Sequence, residues 1–211
     1  MGRPGKKQQL SLFASATSEA PQPLQTLAGL EREVLLCKKC RLRATCRQVV
    51  FGEGSPKARL MLVGEGPGAT EDELGRPFVG AAGRLLDRIL AAVDWTREEL
   101  YITNVVKCRP PGNRLPAPDE VAACLCHLED QIRLIDPLII VCLGVLATQT
   151  LVAANARITR ERGQWKKRGQ RMVMPTFHPA ALLRDASKKR PVWDDFREIR
   201  RVYDRLVAAG S

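Results

Sequence analysis

Four short, continuous apolar runs, each followed by a helix-forming stretch, constrain this chain more than any other feature. They are "ARLMLVG" (58–64), "LYITNVV" (100–106), "PLIIVCLG" (137–144) and "RMVMPTFHP" (171–179). A strand that alternates apolar and polar residues has one wet face. Runs without alternation fit strands covered on both faces, as in a parallel sheet between helices. The intervening segments have helical spacing: "GRLLDRILAAV" puts Leu85, Leu86, Ile89, Leu90 and Val93 on one face, and "PDEVAACLCHLEDQIRLI" opens with Pro118 and Asp119. "LAGLEREVLL", "VLATQTLVAAN" and "PVWDDFREIRRVYDRLV" complete the helical set. The expectation is a three-layer α/β/α domain over residues 26–211 with a central four-stranded, mainly parallel sheet.

In such sheets ligands bind beyond the carboxyl ends of the strands. Gly64 and Glu65 follow the first run, Asn104 lies within or just past the second strand, Gly144 ends the third run, and His178 comes after the fourth strand. Glu, Asn and His therefore converge on one edge. The turn "GEGPGA" (64–69) also fits the loose dinucleotide pattern G-x-G-x-x-A. That reading is set aside: Pro67 has no N–H to offer a phosphate, and Glu65, Glu71 and Asp72 would repel one.

The chain has 211 residues and a net charge of +11, which points to a polyanionic partner, nucleic acid above all. Part of the charge is concentrated in "RITRERGQWKKRGQR" (157–171), where seven basic residues stand against Glu161. Lys166, Lys167 and Arg168 are the candidate phosphate contacts there, with Arg184 at the end of "HPAALLR". No apolar run is long enough to span a membrane, and "MGRPGKKQQL" has no apolar core of a secretion signal.

Seven cysteines in a chain with no export signal read as metal ligands or buried thiols rather than disulfides. Cys37 and Cys40 form C-x-x-C, and Cys108 and Cys124 stand alone further on. On spacing, a structural zinc site and an iron–sulfur cluster are both open. Cys126 competes with Cys124, but on a helix it points away by about 200°. Cys46 and Cys142 read as spare or buried thiols, and His127 is given no role.

The stretches "GEGPGATEDELGRPFVGAAG" (64–83), "NVVKCRPPGNRLP" (104–116) and "TFHPAALLR" (176–184), with the cysteine pattern, resemble the motifs of the family 4 uracil-DNA glycosylases. The resemblance runs from about Leu27 to Leu206. It implies a uracil-DNA glycosylase fold and hydrolysis of the N-glycosidic bond of deoxyuridine in single- or double-stranded DNA. It also implies one 4Fe–4S cluster on Cys37, Cys40, Cys108 and Cys124. Phe78, otherwise a plain core residue, would stack on the base. Asn104 would tell uracil, with its N3–H beside O4, from cytosine, which reverses that order. Glu71 would lie near the C5 edge, and His178 would donate to O2 of the departing base. Glu65 is the candidate for holding the attacking water; the family's water-activating acid aligns one residue later, at Gly66, which also belongs to the uracil-binding set. A related subgroup bonds its substrate covalently through a histidine in a basic loop, whereas the short "PPGNRLPAP" here carries none. Turnover with release of an abasic site is therefore expected. The alternative is a metal-stapled nucleic-acid-binding module without catalysis.

Residues 1–25 are rich in Gly, Pro, Ser and Gln and read as a disordered tail. Within it "QLSLF" (Gln9, Leu10, Ser11, Leu12, Phe13) resembles the pentapeptide by which bacterial repair proteins dock on the sliding clamp. That resemblance implies a bacterial, cytoplasmic protein acting on the nucleoid; a monomer is expected.

Overall fold

A computed structural model describes residues 26–209. The tail and the pentapeptide Gln9–Phe13 lie outside the described residues.

Six strands form one sheet: β1 (Glu53–Gly54), β2 (Leu60–Gly64), β3 (Tyr101–Asn104), β4 (Ile139–Leu143), β5 (Lys166–Arg168) and β6 (Arg171–Thr176). Their order is β1-β3-β2-β4-β6-β5. The inner four, β3-β2-β4-β6, are parallel and coincide with the four apolar runs; β1 and β5 pair antiparallel at the two edges. The expected four-stranded sheet is thus corrected to six strands. The edge strands span two and three residues, "EG" and "KKR", too short and too polar to show periodicity.

Eight α-helices surround the sheet: α1 (Leu27–Leu35), α2 (Ala69–Leu74), α3 (Ala81–Ala91), α4 (Pro118–Ile135), α5 (Val145–Leu151), α6 (Ile158–Glu161), α7 (Pro179–Arg184) and α8 (Lys189–Ala209). Alternate strand residues face opposite ways. Met61, Val63, Ile140 and Val173 pack with Leu30, Val34, Leu128 and Ile132 of α1 and α4. Leu60, Leu62, Val141 and Met174 pack with Leu86, Leu90, Phe196 and Ile199 of α3 and α8. Both faces of the sheet are therefore buried, which is why the inner strands read as unbroken apolar runs. Asp195 of α8 accepts from Thr176 Oγ1 at 2.6 Å and pairs with Arg162, fixing the end of β6 from which His178 projects. None of the described helices is long and apolar enough to cross a membrane.

Candidate active site

The carboxyl ends of the parallel strands open into a cavity of about 550 Å³ lined by Glu65, Gly66, Glu71, Phe78, Asn104, His178 and Arg184, among others. All seven come from the candidate set read in the sequence. Gly64 and Asn104 are register partners on β2 and β3. A Cβ on Gly64 would lie 2.4 Å from Asn104 Oδ1 and 2.5 Å from Phe78 Cζ. A glycine there lets the amide and the ring close on the same space.

Asn104 is buried, and its Oδ1 has no hydrogen-bond partner. A buried, unsatisfied acceptor costs free energy that a ligand's N–H can return. The backbone behind it is fixed by Lys107, whose fully buried Nζ donates to Asn104 O at 2.7 Å, Thr103 Oγ1 at 2.7 Å and Gln131 Oε1 at 2.6 Å.

His178 caps α7. Its Nδ1 accepts the N–H of Ala180 at 3.1 Å, so in the neutral ring the proton sits on Nε2. Burial, helped by the charge of Arg184, pulls its pKa down to about 4. The ring is therefore a neutral Nε2–H donor at physiological pH. It stacks against Phe78 with centroids 5.4 Å apart and an interplanar angle of 29°.

Glu65 accepts backbone N–H groups from Val145 and Leu146 at the start of α5. Burial raises its pKa above the ordinary carboxylate range, while the Leu146 N–H, Arg184 and the Val145 N–H hold the rise in check. Glu71 has a different engagement: its Oε1 accepts the N–H groups of Val79 at 2.9 Å and Gly80 at 2.8 Å, immediately after Phe78. That carboxylate oxygen is thus used in holding the loop, and no sequence spacing announces it.

Of the basic candidates, only Arg184 lines the cavity. Lys166 pairs with Glu161 at 2.6 Å and Arg168 with Glu129 at 2.6 Å. Arg168 is the register partner of Arg171, at the far end of β6 from His178. Lys167 is exposed between them. Arg114 and Lys188 line the cavity and escaped the sequence reading. Arg114 lies inside the stretch 104–116 and Lys188 four residues after the stretch 176–184, and only the folded chain turns them toward the site.

Cys37, Cys40, Cys108 and Cys124 line a second, apolar pocket together with Val34, Leu42, Val49 and Val106. Cys126 does not line it and is exposed, as the helical offset requires. Lys107 N–H donates to Cys124 Sγ at 3.4 Å, and His127 Nε2 stands 3.3 Å from Cys37 Sγ. His127, given no role from sequence, therefore abuts this pocket. Cys46 and Cys142 are buried; Cys46 stands beside Cys108, whereas Cys142 lies within strand β4. Among the described residues no three His, Cys, Asp or Glu side chains gather closely enough to hold a single metal ion.

A model of the uracil DNA glycosylase superfamily matches residues 51–197, which span β2, β3, β4 and β6 and every cavity residue named above. The chain is 44% identical over 186 residues to a type-4 uracil-DNA glycosylase of Sulfurisphaera tokodaii, covering 84% of each chain. This chain belongs to the type-4 uracil-DNA glycosylases. It is 41% identical to the type-4 enzyme of Archaeoglobus fulgidus, over 83% of this chain and 92% of that one. With the type-4 enzyme of Thermotoga maritima it shares 46% identity over 164 residues, 76% of this chain and 84% of the relative. The match sets the unsatisfied Asn104 amide and the neutral His178 donor in a family that acts on uracil in DNA.

Proposed function

We propose that the cavity receives a uracil flipped out of DNA and that the chain hydrolyses its N-glycosidic bond, releasing uracil and leaving an abasic site. The activity is that of a uracil-DNA glycosylase, a DNA N-glycosylase. The observation that carries the assignment of roles is the partnerless Asn104 Oδ1, buried beside Phe78 and facing the same cavity as the Nε2–H of His178.

Flipping costs a few kcal/mol in lost stacking. Phe78 offers a ring face in return. Asn104 Oδ1 accepts the N3–H of uracil, and its amide N–H donates to O4. Cytosine brings an acceptor to that same oxygen, and both acceptors are left unpaired. As the N1–C1′ bond breaks, the electron pair passes into the base and charge builds at O2. The His178 Nε2–H meets it there, stabilising the transition state more than the ground state. The sugar turns oxocarbenium-like. Glu65, anchored on two backbone N–H groups, opposes that charge and holds the water that delivers hydroxyl to C1′. The water's second proton passes, through Glu65 or solvent, to the departing base. Gly66 allows close approach beneath the base, and Glu71 shapes the C5 edge through the loop that it holds. Arg184, with Lys166 and Lys167, supplies contacts to the DNA backbone.

Cys37, Cys40, Cys108 and Cys124 would hold a 4Fe–4S cluster. The four thiols line one apolar pocket. Thiolates are the usual ligands of such a cluster, and the family resemblance favours it over a tetrahedral zinc. Bound there, such a cluster would supply a covalent staple between the turn after α1, the segment after β3, and α4. A broad absorbance near roughly 400 nm, lost in Cys124→Ala, checks it.

The pentapeptide Gln9–Phe13 is proposed to dock on a sliding clamp, with Leu12 and Phe13 as apolar anchors, Gln9 at the rim and Leu10 between them; bacterial origin and action on the nucleoid rest on that reading. Titration of the purified clamp should give micromolar binding, about −8 kcal/mol, that disappears in Leu12→Ala/Phe13→Ala. Catalysis is tested with an oligonucleotide carrying one deoxyuridine. Free uracil and an alkali-labile break are expected, and an intact strand would refute the assignment.

A further inference from the structure

Phe78 has φ 53°, a left-handed backbone conformation that is uncommon for a bulky side chain. Such a conformation persists only where its surroundings over-determine it. Three groups do so here. Glu71 takes the N–H groups that follow, at Val79 and Gly80. Gly83 of α3 lies so close that a Cβ there would meet Phe78 O at 1.8 Å. The third group comes from outside the cavity. Arg97, in the turn before β3, donates from Nη1 to Phe78 O at 3.0 Å and from Nη2 to Pro77 O at 2.6 Å.

Arg97 is itself held. Nη1 also donates to Asp87 Oδ1 at 2.8 Å, and Nε donates to Glu53 Oε1 at 2.8 Å, an oxygen that Nη2 shares. All five guanidinium donors therefore have acceptors. Glu53 gives its other oxygen to Arg76 Nε at 2.8 Å, one residue before Pro77. Burial works to raise the Glu53 pKa, but the bonds from Arg76 and Arg97 outweigh it and hold the carboxyl below its ordinary value. The clamp thus stays charged wherever the protein is folded near neutrality.

We propose that Arg97 is a positioning residue for uracil recognition: it fixes the Pro77 and Phe78 carbonyls so that the Phe78 ring stands as a rigid stacking face opposite Asn104. The inference rests on the reading of Phe78 as the base-stacking ring. A guanidinium is required because its planar fork reaches two consecutive carbonyls and two carboxylates at once; an ammonium has three donors and no fork.

The test is a double-mutant cycle on the full chain, read as single-turnover excision from a deoxyuridine oligonucleotide and as inhibition by free uracil. Arg97→Met should slow excision about tenfold or more and weaken uracil inhibition in parallel, within the range that lost base stacking carries. In a Phe78→Ala background the same substitution should cost less than about twofold, because the ring that it positions is gone. Arg97→Lys should recover little. Equal losses in both backgrounds, or full recovery by lysine, would overturn the proposal. An unchanged rate in Phe78→Ala alone would instead overturn the stacking assignment on which it stands. Should Arg97→Met not fold, Glu53→Gln, which loosens the guanidinium without deleting it, carries the same cycle with the same two outcomes.

Discussion

Adding one methyl group at Gly64 should disable the site while leaving the fold in place. The new Cβ would stand 2.4 Å from Asn104 Oδ1 and 2.5 Å from Phe78 Cζ, about 1 Å inside ordinary contact for each. Neither neighbour can retreat easily. Asn104 ends a buried strand and its carbonyl is bonded to Lys107; Phe78 is held by Arg97, Glu71 and the close approach of Gly83. Overpacking of this kind costs about 1–3 kcal/mol. Here the displaced atoms are the proposed acceptor for N3–H and the proposed stacking ring, so the cost should fall on recognition of the base. We expect Gly64→Ala to lower the single-turnover rate on deoxyuridine DNA by about ten- to a hundredfold, the kinetic equivalent of about 1.4–3 kcal/mol. Thermal unfolding should shift by only a few degrees. The assay is excision with enzyme in excess over an end-labelled oligonucleotide, paired with a melting curve. A wild-type rate in Gly64→Ala would show that the amide and the ring do not share the base site.

Four further expectations rest on the same geometry. His178→Ala should slow single-turnover excision by about ten- to a thousandfold, as loss of an oxyanion donor does. With its pKa pulled down to about 4, His178 stays neutral as pH falls through its ordinary range, so the rate should show no histidine limb near pH ~6.5; a limb there that disappears in His178→Ala would contradict the neutral-donor role. The pKa of Glu65 is raised by burial, so the loss of its charge should slow the rate with acid sooner than an ordinary carboxylate would, and Glu65→Gln should be slow with a flattened acid limb. In salt titrations of duplex binding, Arg184→Gln should reduce the log–log slope by about 0.9, while Arg168→Gln, paired with Glu129 at the far end of β6, should leave it unchanged.

Much of the site was legible because parallel strands bury both faces and deliver their next residues to one edge. Glu65, Asn104 and His178 could be placed together from apolar runs alone, and the cavity gathers them. Their states were less legible. That His178 carries its proton on Nε2 follows from the Ala180 N–H, and that Asn104 Oδ1 is partnerless follows from packing. Both are properties of the folded neighbourhood. The strands Glu53–Gly54 and Lys166–Arg168 escaped because two or three polar residues carry no period. Reading Lys166–Arg168 only as a basic patch missed that two of its charges are already paired. Arg97 escaped for another reason: its acceptors lie 44 residues away at Glu53 and 19 away at Phe78, a separation that no local pattern records.

On the proposed roles, this cavity reads the N3–H and O4 of uracil through Asn104 and expels the base as an anion. The most direct measurement compares single-turnover base release from three single-stranded oligonucleotides identical except for one deoxyuridine, deoxycytidine or thymidine. Release of uracil alone is expected, with Asn104→Ala losing most of that rate while remaining folded. Comparable release of cytosine, or an Asn104→Ala variant as fast as the parent chain, would contradict those roles.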